Sequence, residues 1–253
     1  AAEAAKEAVS KEEAMPVYVA ADIGQIPHFH QNNREQLTEE YVRICQTFLE
    51  EGADLFVFET FADLEDIREA LTLIGDKAFV IVQFSVNQFG YSQSGLSAGK
   101  LASMAEEIKE INAIGLNCGI GPGHMKQLFS KLNVSGSKIL TALPNAGYPH
   151  VVSNRMIFDH HNVDYFADKV GDIAKAGADI IGGCCGTTPE YIRAMKEKLS
   201  FMQTAKKVTE SFGKEREAFG KDRSFFAGKE GKKLIAVELA PPLGSNDESL
   251  MDA

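Results

Sequence analysis

Asp179-Ile180-Ile181-Gly182-Gly183-Cys184-Cys185-Gly186-Thr187-Thr188-Pro189 is the stretch from which the rest of this 253-residue chain can be read. Its short apolar run reads as a buried strand, its glycines allow a tight backbone turn, and a helix-like segment follows over residues 189–199. Two thiols therefore emerge where a strand ends and a loop begins. Ala113-Ile114-Gly115-Leu116-Asn117-Cys118 repeats the device with a third thiol. In a parallel α/β protein such strand ends share one face, and that face carries the chemistry.

Outward from these two stretches, short apolar runs alternate with longer segments of helical period. Strands are expected at residues 16–21, 55–58, 79–84, 113–117, 138–142 and 179–182. Helices are expected at 34–50, 63–74, 98–111, 123–132, 163–175 and 189–199. In the first helix Leu37, Tyr41, Ile44, Cys45 and Phe48 recur at spacings of three and four, which lines one face. Glu51-Gly52-Ala53-Asp54 and Ala176-Gly177-Ala178-Asp179 each place a glycine where a helix would stop before a strand.

Strand, helix and strand in series give right-handed parallel crossovers. A doubly wound open sheet and a (β/α)8 barrel both fit. The barrel is preferred because chemistry-bearing residues end several successive strands instead of meeting at one crevice. Six strands leave two unaccounted for, so the expected fold class is α/β, a (β/α)8 TIM barrel lacking its first two strands. Residues 1–13 then read as the helix after an absent second strand, and the chain as a fragment that opens inside a domain.

Hydrophobic residues make up 44% of the chain and charged residues 25%, which is ordinary for a globular protein with a sizeable core. No apolar run approaches the roughly 20 residues of a membrane helix. The Ala- and Glu-rich start lacks the basic and hydrophobic regions of a signal peptide. A cytoplasmic, reducing location with no membrane partner is expected, and there cysteines more often bind metal or catalyse than form bridges. The net charge of −10 argues against a nucleic-acid partner. Nine Lys/Arg against five Asp/Glu give residues 206–233 a net +4. Such a mixed-sign run reads as a solvated linker or helix face.

Thiolates are soft ligands that suit zinc, at about 2.3 Å per Zn–S bond. Three converging thiols from Cys118, Cys184 and Cys185, with no fourth ligand visible, describe a site with an open position, which is a catalytic arrangement. Singly, each thiol could instead pack as a small hydrophobe. Cys45 is read that way, since it lies on the apolar helix face. His28, His30, His160 and His161 sit in loops with no converging partner, and are read as surface or capping groups.

Gly115-Leu116-Asn117-Cys118 followed by Gly182-Gly183-Cys184-Cys185-Gly186-Thr187-Thr188-Pro189 resembles the paired signature of the homocysteine S-methyltransferase family. That family includes the homocysteine-binding barrel of cobalamin-dependent methionine synthase and betaine–homocysteine methyltransferase. The resemblance runs over residues 16–199. It implies a (β/α)8 barrel in which Cys118, Cys184 and Cys185 hold catalytic Zn2+. It also implies homocysteine as substrate, methionine as product, and a methyl donor that is methylfolate, methylcobalamin, or a betaine-like or sulfonium compound.

Glu59, ending Leu55-Phe56-Val57-Phe58-Glu59-Thr60, matches the family's glutamate at the amino group of homocysteine, although a helix-capping or ion-paired carboxylate would also suit its position. Asn117 and Asn145 are expected to orient substrate or ligands. Pro144-Asn145-Ala146-Gly147 also has the composition of a plain turn. The family's first-strand Asp-Gly motif is missing, and Asp22-Ile23-Gly24-Gln25-Ile26-Pro27 departs from the usual glycine-to-proline run. The alternatives are a non-catalytic module in which zinc serves stability, and a related barrel methylating another thiol or a selenol.

Near the end, Leu234-Ile235-Ala236-Val237-Glu238-Leu239-Ala240-Pro241-Pro242 resembles the first strand of the methylenetetrahydrofolate reductase barrel. There a Glu-x-x-Pro-Pro pattern carries a catalytic carboxylate, which implies that role for Glu238. The expected organisation is a partial zinc barrel over residues 1–200, a charged linker over 201–232, and the start of a reductase-like domain over 233–253. FAD is expected only in the part of that domain continuing past the chain end.

Overall fold

The computed structural model describes residues 20–26, 34–132, 134–135, 137–153, 155–158 and 162–210. Six parallel strands pair in chain order: β1 (Ala21–Gly24), β2 (Leu55–Phe61), β3 (Phe79–Phe84), β4 (Ala113–Asn117), β5 (Ile139–Leu143) and β8 (Ile180–Ile181). Between β5 and β8 a short antiparallel hairpin intervenes, β6 (His150–Val152) with β7 (Arg155–Ile157). The helices are α1 (Arg34–Glu50), α2 (Arg68–Ile74), α3 (Ala98–Glu106), α4 (Pro122–Phe129), α5 (Val163–Lys175) and α6 (Pro189–Glu210). This strictly sequential order is that of a β/α barrel, whereas a doubly wound sheet reverses its order at a switch point. Among the described residues no ladder joins β1 to β8.

Alternation along each strand divides the apolar residues between two layers. Phe56, Phe58, Val80, Val82, Ile114, Leu116, Leu140 and Ala142 face the helices in the larger core. Leu55, Phe79, Ile81, Ala113, Ile139 and Ile180 form a second cluster on the opposite, inner face of the sheet. The register aligns Ile81 with Ala113 and Ala113 with Ile139, so this inner layer crosses strands at one height. Burial on both faces explains why these strands read as almost unbroken apolar runs.

Buried tyrosines link helices to the sheet and to each other. The hydroxyl of Tyr41, on α1, accepts from Ile26 N at 2.6 Å just past β1. The Phe166 and Tyr191 rings meet edge to face at 5.2 Å, which joins α5 to α6. Ser97 and Asn162 cap α3 and α5 by accepting from Lys100 N and Tyr165 N, so a side-chain oxygen satisfies an otherwise orphaned donor at each helix start.

Some boundaries differ from expectation. Of the first expected strand, residues 16–19 lie outside the described residues; the described strand runs over Ala21–Gly24, where pairing with Phe56–Glu59 sets its register. The segment expected as one helix over 63–74 opens with a 3-10 turn, Glu65–Ile67, before α2. Helix α3 stops at Glu106, short of residue 111, and just before β4 the Asn112 side chain accepts from Val80 N at 2.7 Å. The strands of the hairpin β6–β7 are too short to show a period. Residues 211–253 lie outside the described residues. Among the described residues no helix is long and apolar enough to cross a membrane.

Candidate metal centre

Three strand-end loops are bound together by their backbones. Cys118 N donates to Leu143 O, Asn145 N to Ile120 O, Cys184 N to Pro144 O, and Ala146 N to Cys185 O, all at 2.9–3.1 Å. The loop after β5 thus lies between the loop after β4 and the loop after β8, and holds both. The sulfurs of Cys118, Cys184 and Cys185 consequently lie within 4.8 Å of one another. Cys118 Sγ is 3.7 Å from Cys185 Sγ, and Cys184 Sγ is 4.0 Å from Cys185 Sγ. A tetrahedron with Zn–S bonds of about 2.3 Å has edges of about 3.8 Å, so the thiol spacing and the soft donor set fit zinc.

Local backbone geometry brings these thiols toward one another. Cys118 has φ of 54°, a left-handed conformation uncommon outside glycine. Gly186, just past the cysteine pair, has φ of 78°, and a Cβ there would lie 2.5 Å from Phe158 Cγ, so only glycine fits. Around the sulfurs, the Cys184 and Cys185 thiols, the Gly119 N–H and the Asn145 side chain hold the Cys118 thiol down at about 2 against its burial. The Cys184 thiol is pushed far above its usual range, first by its hydrogen bond to Cys118. Negative charge is thus favoured on the Cys118 sulfur. Cys45, buried in α1 away from such donors, is raised to about 12 by desolvation alone.

Asn117 connects this centre to Glu59. Fully buried, its Oδ1 accepts from Thr60 N at 2.9 Å and its Nδ2 donates to Glu59 Oε2 at 3.2 Å. Thr60 has φ of 60°, a true outlier for a β-branched residue, and the Asn117 acceptor is what holds it there. Asn145, 6% exposed, reaches Cys118 with its side chain, while its Oδ1 has no hydrogen-bond partner. Beside the cysteines a cavity of about 300 Å3 is lined by Ala146, Gly147, Tyr148, His150 and Phe158. Tyr148 is fixed at its rim by a 2.8 Å hydrogen bond between its hydroxyl and His124 Nδ1.

The structure therefore brings together Cys118, Cys184, Cys185, Asn145, Asn117 and Glu59. Glu238, His28, His30, His160 and His161 lie outside the described residues. Sequence reasoning missed Thr60, Tyr148 and the buried pair Gln83–Thr141, joined from Gln83 Nε2 to Thr141 Oγ1 at 2.9 Å. Gln83 had a visible signal, being one polar residue within Phe79-Val80-Ile81-Val82-Gln83-Phe84. Thr60 had none, since strain at a strand end leaves no compositional trace.

The sequence profile of homocysteine S-methyltransferase matches residues 1–199. The chain belongs to the homocysteine S-methyltransferase family. Methionine synthase of Mycobacterium leprae (strain TN) is 28% identical over 186 residues, covering 70% of this chain and 15% of that protein. Homocysteine S-methyltransferase 4 of Zea mays is 26% identical over 198 residues, covering 71% of this chain and 58% of that one. The chain thus spans only part of each of these relatives. The apo form of the homocysteine methyltransferase MmuM from Escherichia coli superposes with a TM-score of 0.61 at 24% identity, covering 78% of this chain and 69% of that chain. Its metallated form gives 0.53 at 22% identity, covering 67% and 53%. These likenesses show that the chain shares MmuM's fold.

Proposed function

We propose that the chain transfers a methyl group to the thiol of homocysteine, giving methionine, at a zinc site made by Cys118, Cys184 and Cys185. The observation that carries this reading is the near-tetrahedral spacing of three sulfurs at strand ends, in a chain of this family. A zinc ion held there would supply a Lewis acid that lowers the pKa of a thiol entering its open position, so that the thiol reacts as thiolate near neutral pH. That MmuM has been solved in a metallated form supports a metal-loaded state for this fold.

The chain's own side chains position the reactants. The Asn145 side chain faces the Cys118 sulfur and favours its thiolate form, and its buried Oδ1 has no hydrogen-bond partner. Asn117 holds the Glu59 carboxylate, which is the group suited to receive the amino end of the substrate. In the transfer, the deprotonated substrate sulfur forms a new bond to the methyl carbon as the donor's bond to that carbon breaks. The electron pair of the broken bond leaves with the donor. The cavity beside Cys185 supports entry of a donor from that side, whether methylfolate, methylcobalamin or a betaine-like compound.

The domain reading remains part of this proposal. The end of the family match at residue 199 and the Glu238-Leu239-Ala240-Pro241-Pro242 stretch support a boundary near 200 and a reductase-type segment from 233, with Glu238 as its acid.

Metal analysis with a methyl-transfer assay tests the central claim. The chain is expected to bind about one zinc and to methylate homocysteine with one of these donors. Cys184→Ser is expected to lose both, by more than the roughly 100-fold that removing an outer partner of a ligand causes. Full activity of Cys184→Ser without bound zinc would overturn the reading.

A further inference from the structure

The inner face of the sheet changes character abruptly along β3. Phe79 and Ile81 belong to the inner apolar cluster, and Gln83, next on the same face, is 2% exposed. Its Nε2 reaches across Gly115 to Thr141 Oγ1. Only glycine permits this crossing, because a Cβ at 115 would lie 1.9 Å from Thr141 O and 2.1 Å from Thr141 Oγ1. The amide is thereby fixed by one end. At the other end its Oε1, buried, has no hydrogen-bond partner. A buried carbonyl oxygen left unpaired is destabilising, so a donor is expected to meet it.

The register says what lies beside that oxygen. Strands β2 and β3 pair regularly through Phe58 and Val82, shift, and resume at Phe61 and Phe84. The irregularity sets Glu59 and Thr60 against Gln83. Glu59 follows Leu55 and Val57 on the inner face by the same alternation. Neighbouring strands are about 4.8 Å apart, so one small group can meet both side chains. A carboxylate and an unpaired carbonyl side by side present acceptors to a cation with several N–H donors. A primary ammonium is such a group, and a carboxylate or a neutral methylene is not.

We infer that Gln83 is a second acceptor for the substrate's amino group, standing beside Glu59, and that it helps the site select an amino acid over other small thiols. This rests on the homocysteine reading above. The side chain selects by being held in place before substrate arrives: Thr141 anchors the amide and Gly115 makes room for it. A thiol without the amino group leaves Oε1 unpaired, which is how a buried polar group rejects an analogue that lacks its partner.

Calorimetric titration of the zinc-loaded full chain with L-homocysteine and with 4-mercaptobutanoate, the same thiol acid lacking the amino group, tests this. The wild-type chain is expected to prefer homocysteine, and Gln83→Met to reduce the ratio of the two affinities by roughly 10- to 100-fold, the worth of a hydrogen bond to a charged group. Gln83→Glu keeps an acceptor and is expected to retain the preference, which guards against a Met variant that fails to fold. A ratio unchanged in Gln83→Met, with both thiols bound, means that Oε1 meets only a buried water and overturns the inference while leaving the thiol site intact. Binding of neither thiol by wild type overturns the homocysteine reading and this inference together.

Discussion

Two halves of the same inner sheet face differ in character within two to four residues along the strands. In the lower half Leu55, Phe79, Ile81, Ala113, Ile139 and Ile180 pack against one another with no polar group to satisfy. In the upper half Glu59, Gln83 and Thr141, with Asn117 one inward position further along β4, each enter a hydrogen bond. The non-glycine positive-φ residues Thr60 and Cys118 are also in the upper half. Burial of apolar area without polar cost makes the lower half a source of stability. The upper half places polar groups and backbone outliers at the strand ends, where they cost stability and form the proposed site. One sheet thus has a stabilising end and an end that carries the proposed site, as barrel architecture leads one to expect.

Substitutions in the two halves should separate these roles. Ile81→Ala in the lower half is expected to lower unfolding free energy by about 2–5 kcal/mol, because it removes buried methyl groups and leaves a cavity. Zinc bound per folded chain should stay unchanged. Denaturant titration alongside metal analysis reads both quantities, and loss of zinc from a chain that remains folded would show the halves to be coupled.

Asn117→Ala in the upper half should affect the site as well as the fold. It leaves the Thr60 N–H without its acceptor, for a stability loss of about 1–3 kcal/mol. Glu59 loses the donor that orients it, and kcat/KM for homocysteine is expected to fall by roughly 10- to 100-fold. Steady-state kinetics and the same denaturant titration, run in parallel, decide between the two effects. A variant as active as wild type would remove Asn117 from the positioning machinery.

The lower half was the more legible in sequence. Continuous apolar runs announce strands buried on two faces, and five of the six expected strands fall where the ladders lie. The cysteines were legible because thiols at strand ends are rare and glycine-flanked. What escaped was whatever depends on a partner remote in sequence. The start of β1 is set by its pairing with β2, the positive φ of Thr60 by an acceptor 57 positions away, and the Gln83–Thr141 bond by a missing Cβ at Gly115. Local propensity contains none of these. Asn145 was readable as a turn residue, yet its side chain reaches Cys118, which only the spatial meeting of the β4 and β5 loops provides.

A second contrast lies between two thiols of unlike surroundings. Cys118 at the strand ends is held low by hydrogen-bond donors, whereas Cys45 inside α1 is raised from 9.0 to about 12 by burial. Tyr41, also on α1, is raised from 10.0 to about 12, mainly by desolvation. A group whose folded pKa exceeds its unfolded value contributes its stability fully below the unfolded pKa and loses it as pH climbs through the folded one. Cys45 and Tyr41 should therefore make the fold progressively less stable from about pH 9 to about pH 12. Denaturant midpoints at about pH 8 and about pH 10.5 measure the slope. Cys45→Ala should be less stable than wild type at the lower pH, from lost packing, and should show a shallower decline toward the higher one. An identical decline in both chains would assign the alkaline loss to Tyr41 and the strand-end thiols, and would make Cys45 a packing residue with no titration of consequence.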